Sequence, residues 1–192
     1  MNQNKFNQHK EKQLKRKDKS NEGHIDKPIL ALCKKINSKP NYYTTSSCSG
    51  RIILVKQGRG KTKSKNAFLF KTHKKTSYKE LKKAINLILK SDYSGLVYFK
   101  LDSCILHISC LNLESAQSIV DKAKFSGWKR SGIMSTKKRI NVELLSTEKL
   151  EFPIINKNKI LTSDKYIKII IKQANKKLKN THNKMKKLEK LI

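Results

Sequence analysis

Between Asp26 and Glu80 the chain has no acidic residue, yet fourteen lysines and arginines fall in that stretch. Such a segment folds compactly only if its charges are spread over a solvated face or met by a polyanion, because like charges brought together repel. Compositional drift would have left acids scattered through it. The excess extends to the whole chain: 45 Lys plus Arg stand against 14 Asp plus Glu in 192 residues, a formal net charge of +31. Clustered single-sign charge on this scale is the footprint of a phosphate-contacting face, so nucleic acid is the expected partner.

A chain of this length is long enough to bury a core and too short for several enzymatic domains. No run approaches the ~18 consecutive apolar residues that a membrane span needs. The basic first twenty residues have no apolar segment behind them that would make a secretory signal, so a cytoplasmic, soluble protein is expected. Cys33, Cys48, Cys104 and Cys110 match no zinc-finger, ribbon or CxxC spacing. They read as reduced, packed thiols, and no metal site is expected.

Residues 1–21 hold only Met1, Phe6 and Leu14 as large apolar side chains. They read as a basic flexible arm, or a helix formed on RNA, ahead of a single domain over 22–192. Asp26 and Pro28 signal a helix start by capping and by removing an orphan amide donor, and Ile29, Leu32, Cys33 and Ile36 share one helical face over about 27–37. From Tyr42 to Lys56 a turn of small polar residues passes into a β-branched run. After a Gly and Lys tract, 67–73 forms a second strand. A helix over 78–90, strands over 96–101 and 105–110, and a helix from the Asn112 cap to Gly127 follow. Three short strands over 128–134, 140–146 and 150–155 come next. A basic helix over about 163–191 closes the chain, its apolar seam interrupted at Thr181. The pattern is α+β with a mixed, mainly antiparallel sheet, not the βαβ alternation of a doubly wound fold.

The most unusual local string is Thr44-Thr45-Ser46-Ser47-Cys48-Ser49-Gly50-Arg51. Its hydroxyls, glycine and guanidinium can present several donors to an anion, a carboxylate or a ribose, or can simply satisfy a strand-entry turn. Arg51 follows Cys48 too closely for the phosphate loop of a cysteine phosphatase. Gln57-Gly58-Arg59-Gly60 lacks the third glycine of a dinucleotide fingerprint and opens no helix. His73 ends one strand and His107 lies within another, either able to accept a proton or donate a hydrogen bond.

The segments HIDKPILALCKKINSKPNYYTTSSCSGRI, FLFKTH, VYFKLDSCILHISC, AQSIVDKAKFSGWKRSGI, VELLSTEKLEFPI and DKYIKIIIKQANKKL, in this order, resemble the tRNA wybutosine-synthesising protein 3 family in its short archaeal form. The resemblance covers residues 22–192 and implies a catalytic domain. The implied activity is S-adenosylmethionine-dependent methylation of the N4 nitrogen of the tricyclic wyosine-type base at position 37 of phenylalanine tRNA. The chain departs from the family pattern at Val55-Lys56-Gln57, where an aspartate is usual. It departs also at Thr72, in the place of a tryptophan, and at Ser103, in the place of a proline.

Under that resemblance Ser46, Ser47, Ser49, Gly50, Arg51 and His107 are expected to hold the cofactor, and Ser47, His73 and His107 to act in catalysis. The anticodon stem-loop is expected to meet Lys56, Arg59, Lys61, Lys63, Lys65, Lys71, Lys74 and Lys75, with Tyr42 and Tyr43 stacking on a splayed base. The alternative from another class is a non-enzymatic RNA-binding or ribosome-associated protein. A pure RNA binder has no reason to gather hydroxyls, glycine and arginine away from the lysine tracts.

Overall fold

The structure is a computed structural model that describes residues 2–16, 25–57 and 67–192. Arg59, Lys61, Lys63 and Lys65 therefore lie outside the described residues. The elements run α1 (Gln3–Leu14), α2 (Lys27–Ser38), β1 (Tyr42–Cys48), β2 (Arg51–Lys56), β3 (Phe68–Thr72), α3 (Tyr78–Leu89), β4 (Val97–Asp102) and β5 (Ile105–Cys110). They continue α4 (Leu113–Phe125), β6 (Gly132–Ser135), β7 (Ile140–Leu145), β8 (Leu150–Asn156), β9 (Lys159–Ile160) and α5 (Asp164–Leu191). The architecture is α+β, as the pattern of elements predicts, with two antiparallel sheets in place of the one mixed sheet expected.

The chain divides into two compact units, Met1–Ser49 with Ser103–Thr147 and Thr181–Ile192, and Gly50–Asp102 with Glu148–Asn180. The first unit holds a four-stranded sheet in the order β1-β5-β7-β6. Leu106, Ile108, Val142 and Leu144 of this sheet pack with Ile29, Leu32 and Ile36 of α2 and with Ala116, Ile119 and Val120 of α4. Asn112 caps α4 by accepting from the Ser115 amide at 2.8 Å, and the helix ends where Gly127 takes φ +93°. Trp128 does not start a strand as expected. Its amide donates back to the Ala123 carbonyl at 2.9 Å and its ring is fully buried, so the chain must turn before β6 can begin at Gly132.

The second unit holds a five-stranded sheet in the order β3-β2-β4-β8-β9. Ile52, Leu54, Phe99 and Leu101 face Leu81 and Ile85 of α3 and Ile167, Ile171, Ala174 and Leu178 of α5. Alternation along β4, with Val97, Phe99 and Leu101 buried and Tyr98 and Lys100 not, is the period-2 signature of a sheet with one core face. Lys157 and Asn158, both at positive φ, make the tight turn that adds β9, too short to be expected from sequence.

Three further features differ from the sequence expectations or add to them. Residues 3–14 form a helix rather than a loose arm: Asn2 caps it, and Phe6, fully buried, rests on the Tyr43 ring with centroids 5.1 Å apart. The hydroxyl string is not a turn leading into one strand but is itself β1. Gly50, at φ +82°, separates it from β2, which belongs to the other sheet. Finally, α5 supplies Ile167 to Leu178 to one core and Met185 and Leu188 to the other. The expected interruption of its apolar seam, Thr181, is where the division falls.

Candidate functional site

In the first unit β1, β5 and β7 bring three polar side chains into one row, because the register sets Ser46 opposite His107 and His107 opposite Glu143. A register shift between Thr44 and Ser46 rotates the serine into that row. Ser46 Oγ lies 2.7 Å from His107 Nδ1, and His107 Nε2 lies 2.9 Å from Glu143 Oε2. The chemistry of the partners decides the tautomer. An ionised carboxylate only accepts, so Nε2 carries the proton and donates to Glu143, which leaves Nδ1 to accept from the Ser46 hydroxyl. Ser46 is exposed, and the His107 and Glu143 side chains are 31% and 29% exposed. The row is thus a hydroxyl at the surface, polarised by an imidazole that a carboxylate orients.

Neighbouring residues of the string are used differently. Ser47 pairs with Leu106, a core residue, so strand alternation turns it to the opposite face from Ser46. Ser49 is fully buried and its amide donates to Asp26 Oδ2 at 2.8 Å. The aspartate expected to cap α2 therefore stands at the cap position without a side-chain bond to the helix and anchors the end of the string instead. Tyr43 is buried beneath Phe6, and the half-buried Tyr42 donates its hydroxyl to the Ser115 carbonyl at 3.0 Å. Tyr43 is therefore packed away from any RNA base, which corrects the expectation that it stacks, and Tyr42 is tied to α4. Burial pushes the Cys104 thiol well up and Cys110 up to about 12, in keeping with reduced, packed cysteines.

In the second unit, Arg51 opens β2 opposite Asp102 at the end of β4. Arg51 Nε donates to Asp102 Oδ2 at 2.9 Å while the guanidinium carbon sits 4.6 Å from the Phe68 ring centroid. Stacking and the ion pair together hold the guanidinium plane and leave its Nη donors for a ligand carboxylate or phosphate. His73 Nδ1 donates to the Gly50 carbonyl at 3.0 Å, since a carbonyl can only accept. Lys71, Lys74 and Lys75 are exposed, whereas the Lys56 ammonium lies over the Tyr93 ring at 4.5 Å. Two members of these clusters, Glu143 and Asp102, escaped the sequence-based site. An acid 36 residues from its histidine looks like any surface charge until strand register is known.

The sequence matches the family described as Methyltransferase TYW3 over residues 4–192. The chain belongs to the TYW3 methyltransferase family. Among its relatives, a protein of Methanocaldococcus jannaschii is 39% identical over 82% of this chain and 81% of its own length. That protein is named tRNA(Phe) 7-((3-amino-3-carboxypropyl)-4-demethylwyosine(37)-N(4))-methyltransferase. A Xenopus laevis relative, named tRNA wybutosine-synthesizing protein 3 homolog, is 32% identical over 94% of this chain and 71% of its own length. The solved structure of the PH1069 protein from Pyrococcus horikoshii superposes with a TM-score of 0.84 at 34% identity, covering 98% of this chain and 94% of that one. A hypothetical protein from Aeropyrum pernix, at 22% identity and a TM-score of 0.72, shares the fold.

For a TYW3 methyltransferase the non-enzymatic reading of the basic surface falls away. The Ser46 row and the Arg51 pair stand outside the lysine tracts. No helix among the described residues is long and apolar enough to cross a membrane.

Proposed function

We propose that this protein transfers a methyl group from S-adenosylmethionine to the N4 nitrogen of a 4-demethylwyosine-type base at position 37 of phenylalanine tRNA, in the cytoplasm. The observation that carries the reading is the Ser46–His107–Glu143 row, found in a chain of this family. S-adenosylmethionine supplies an electrophilic methyl group on a sulfonium. A ring nitrogen that exchanges hydrogen for methyl releases one proton per turnover, and the row is built to take it. The base N–H gives its proton to Ser46 Oγ as the Ser46 hydroxyl proton passes to His107 Nδ1, and Glu143 stabilises the imidazolium that forms. The roles expected of Ser47 thereby pass to Ser46.

In the second unit, the residues fit the amino-acid end of the methyl donor. Arg51 has planar Nη donors suited to bidentate contact with a carboxylate, and Asp102 offers an acceptor to an ammonium or a ribose hydroxyl. The remaining barrier reduction comes from holding acceptor and donor in line and excluding water. The anticodon stem-loop is taken up through the exposed lysines, Lys71, Lys74 and Lys75 among them, whose point charges confer affinity without sequence preference.

The test is calorimetric titration of the full chain with S-adenosylmethionine, followed by methyl-transfer assay on phenylalanine tRNA carrying the 4-demethylwyosine-type precursor. One-to-one binding that Arg51→Ala weakens by tenfold or more, together with labelled methyl in the precursor tRNA and none in fully modified tRNA, is expected. Absence of binding with precursor tRNA present would overturn the donor, and methylation elsewhere in the tRNA would overturn the position.

A further inference from the structure

Five exposed lysines, Lys75, Lys168, Lys172, Lys176 and Lys179, line a groove of about 820 Å³ with the Tyr78 ring, between the start of α3 and one side of α5. Three things set it apart from a merely solvated lysine face. First, three acids of the same unit already have partners. Asp164 is held by Lys82 at 2.6 Å, Glu148 accepts from Lys177 at 3.2 Å, and Glu80 is folded back into the capping box with Ser77. Among the described residues none of the five groove lysines pairs with a carboxylate within 4.0 Å.

Second, the walls are tied together. The Asn175 side chain accepts from the Thr76 amide at 3.0 Å and donates to the Thr76 carbonyl at 2.8 Å, a two-point bond that locks the chain entering α3 onto α5. Buried Ile171 and Leu178 pack the same stretch of α5 onto the core. Third, Lys168, Lys172 and Lys176 recur every fourth residue, in steps of about 6 Å along one side of the helix, with Lys179 a turn further on. That is a rail of evenly spaced positive points, fixed in a groove rather than scattered.

We propose that this α3/α5 groove binds the phosphodiester backbone of the RNA helix that leads to the modified loop. The proposal rests on the tRNA reading given above and extends the contact surface beyond Lys71, Lys74 and Lys75. Lysine ammonium groups suit the task, because they meet phosphates as flexible point charges and read no base. The Tyr78 ring adds no stacking surface, since the Lys168 ammonium already lies 5.1 Å from its centroid. The groove therefore sets affinity and orientation along the stem, while discrimination of the base belongs to the residues that handle it.

The experiment compares the full chain with Lys172→Gln/Lys176→Gln/Lys179→Gln in binding a fluorescent RNA hairpin with the sequence of the anticodon stem-loop, across a potassium chloride series. Each lost phosphate contact removes about 0.7–0.9 from the slope of log K against log salt, so a shallower slope by about 2 to 3 is expected. Affinity near 0.15 M salt should fall tenfold or more. Lysine-to-arginine replacements at the same three positions should restore both, which separates lost charge from lost fold. Removing equal charge at Lys122, Lys124 and Lys129 of the other unit should leave the slope nearly unchanged.

An unchanged slope in the groove variant, or an equal loss in the control variant, would overturn the proposal. So would a groove variant that binds the hairpin normally but no longer adsorbs to phosphatidylserine vesicles, since the groove would then serve a lipid surface. Titration with S-adenosylmethionine should be the same for parent and groove variant. Failure of donor binding in both would sink the donor reading while leaving the groove result standing.

Discussion

Glu143 illustrates how one side chain acquires meaning only through its neighbours. By itself it is a half-buried carboxylate in a strand; across from His107 it dictates which imidazole nitrogen carries the proton and so makes Nδ1 the acceptor facing Ser46. Glu143→Gln tests that role with little change of volume. The amide oxygen can still accept from Nε2, but the negative charge that steadies an imidazolium is lost. If the amide nitrogen turns to Nε2 instead, the tautomer reverses and Ser46 loses its acceptor. Either way the methyl-transfer rate in single turnover should fall roughly 10- to 100-fold, by analogy with the orienting partners of ligand histidines. S-adenosylmethionine affinity should stay as it was. His107→Ala should cost more, about 10²- to 10⁴-fold, as expected for loss of a general base. Equal rates in all three proteins would show that the proton leaves directly to water and that the row is structural.

The elements of this fold differ in how openly the sequence announces them. α2, α3 and α4 each carry an apolar stripe at helical spacing and recognisable start or stop residues, so both their existence and their core faces were legible. α1 was not: its one buried aromatic, Phe6, becomes an anchor only because Tyr43, distant in sequence, lies beneath it, and its bonds from Lys10 and Gln13 run to backbone carbonyls of Lys39 and Thr45. The break at Gly50 was equally hidden, since the small polar residues before it read as a turn into one strand, whereas they are a strand of one sheet and a positive φ at Gly50 carries the chain into the other. The site was half legible for the same reason. The hydroxyl string and His107 stood out by composition, but which serine faces the histidine depended on a register shift.

The best-announced element also permits a sharp test. In α3, Ser77 accepts from the Glu80 amide at 3.2 Å and Glu80 Oε2 accepts from the Ser77 amide at 2.6 Å. Those bonds to Ser77 hold the Glu80 carboxyl below its ordinary value. A carboxyl lowered on folding contributes stability that is full above its unfolded value and disappears as pH falls through the lower native one. Glu80→Gln preserves the geometry of the box and removes the titration. Its melting temperature should therefore lie slightly below that of the parent at pH 7 and converge on it in acid. A constant gap down to pH 3 would show that the bonds do not depend on the charge.

At the scale of the whole molecule the governing quantity is the surplus of charge. Fourteen acids can offset at most a third of the forty-five lysines and arginines, and several of them, Asp102, Glu148, Glu151 and Asp164, are each already held by a cation. The folded chain thus confines a net +31 that its own groups cannot neutralise, and the unfolded chain relieves it by expanding. Screening should then stabilise the native state. Raising ionic strength from 0.01 to 0.15 M shortens the Debye length from about 30 to about 8 Å, which silences the distant repulsions while sparing contacts such as the Arg51–Asp102 pair. Each kcal/mol so relieved raises the melting temperature of a chain this size by about 2–4 °C. Scanning calorimetry in a potassium chloride series should show a rise of several degrees over that range, followed by a plateau once screening is complete. A short RNA duplex at micromolar concentration in 0.01 M salt should produce a similar rise, because bound phosphates replace the missing counterions at the surface. A melting temperature indifferent to both would mean that the lysines lie too far apart to strain the fold, and that their number serves encounter with RNA alone.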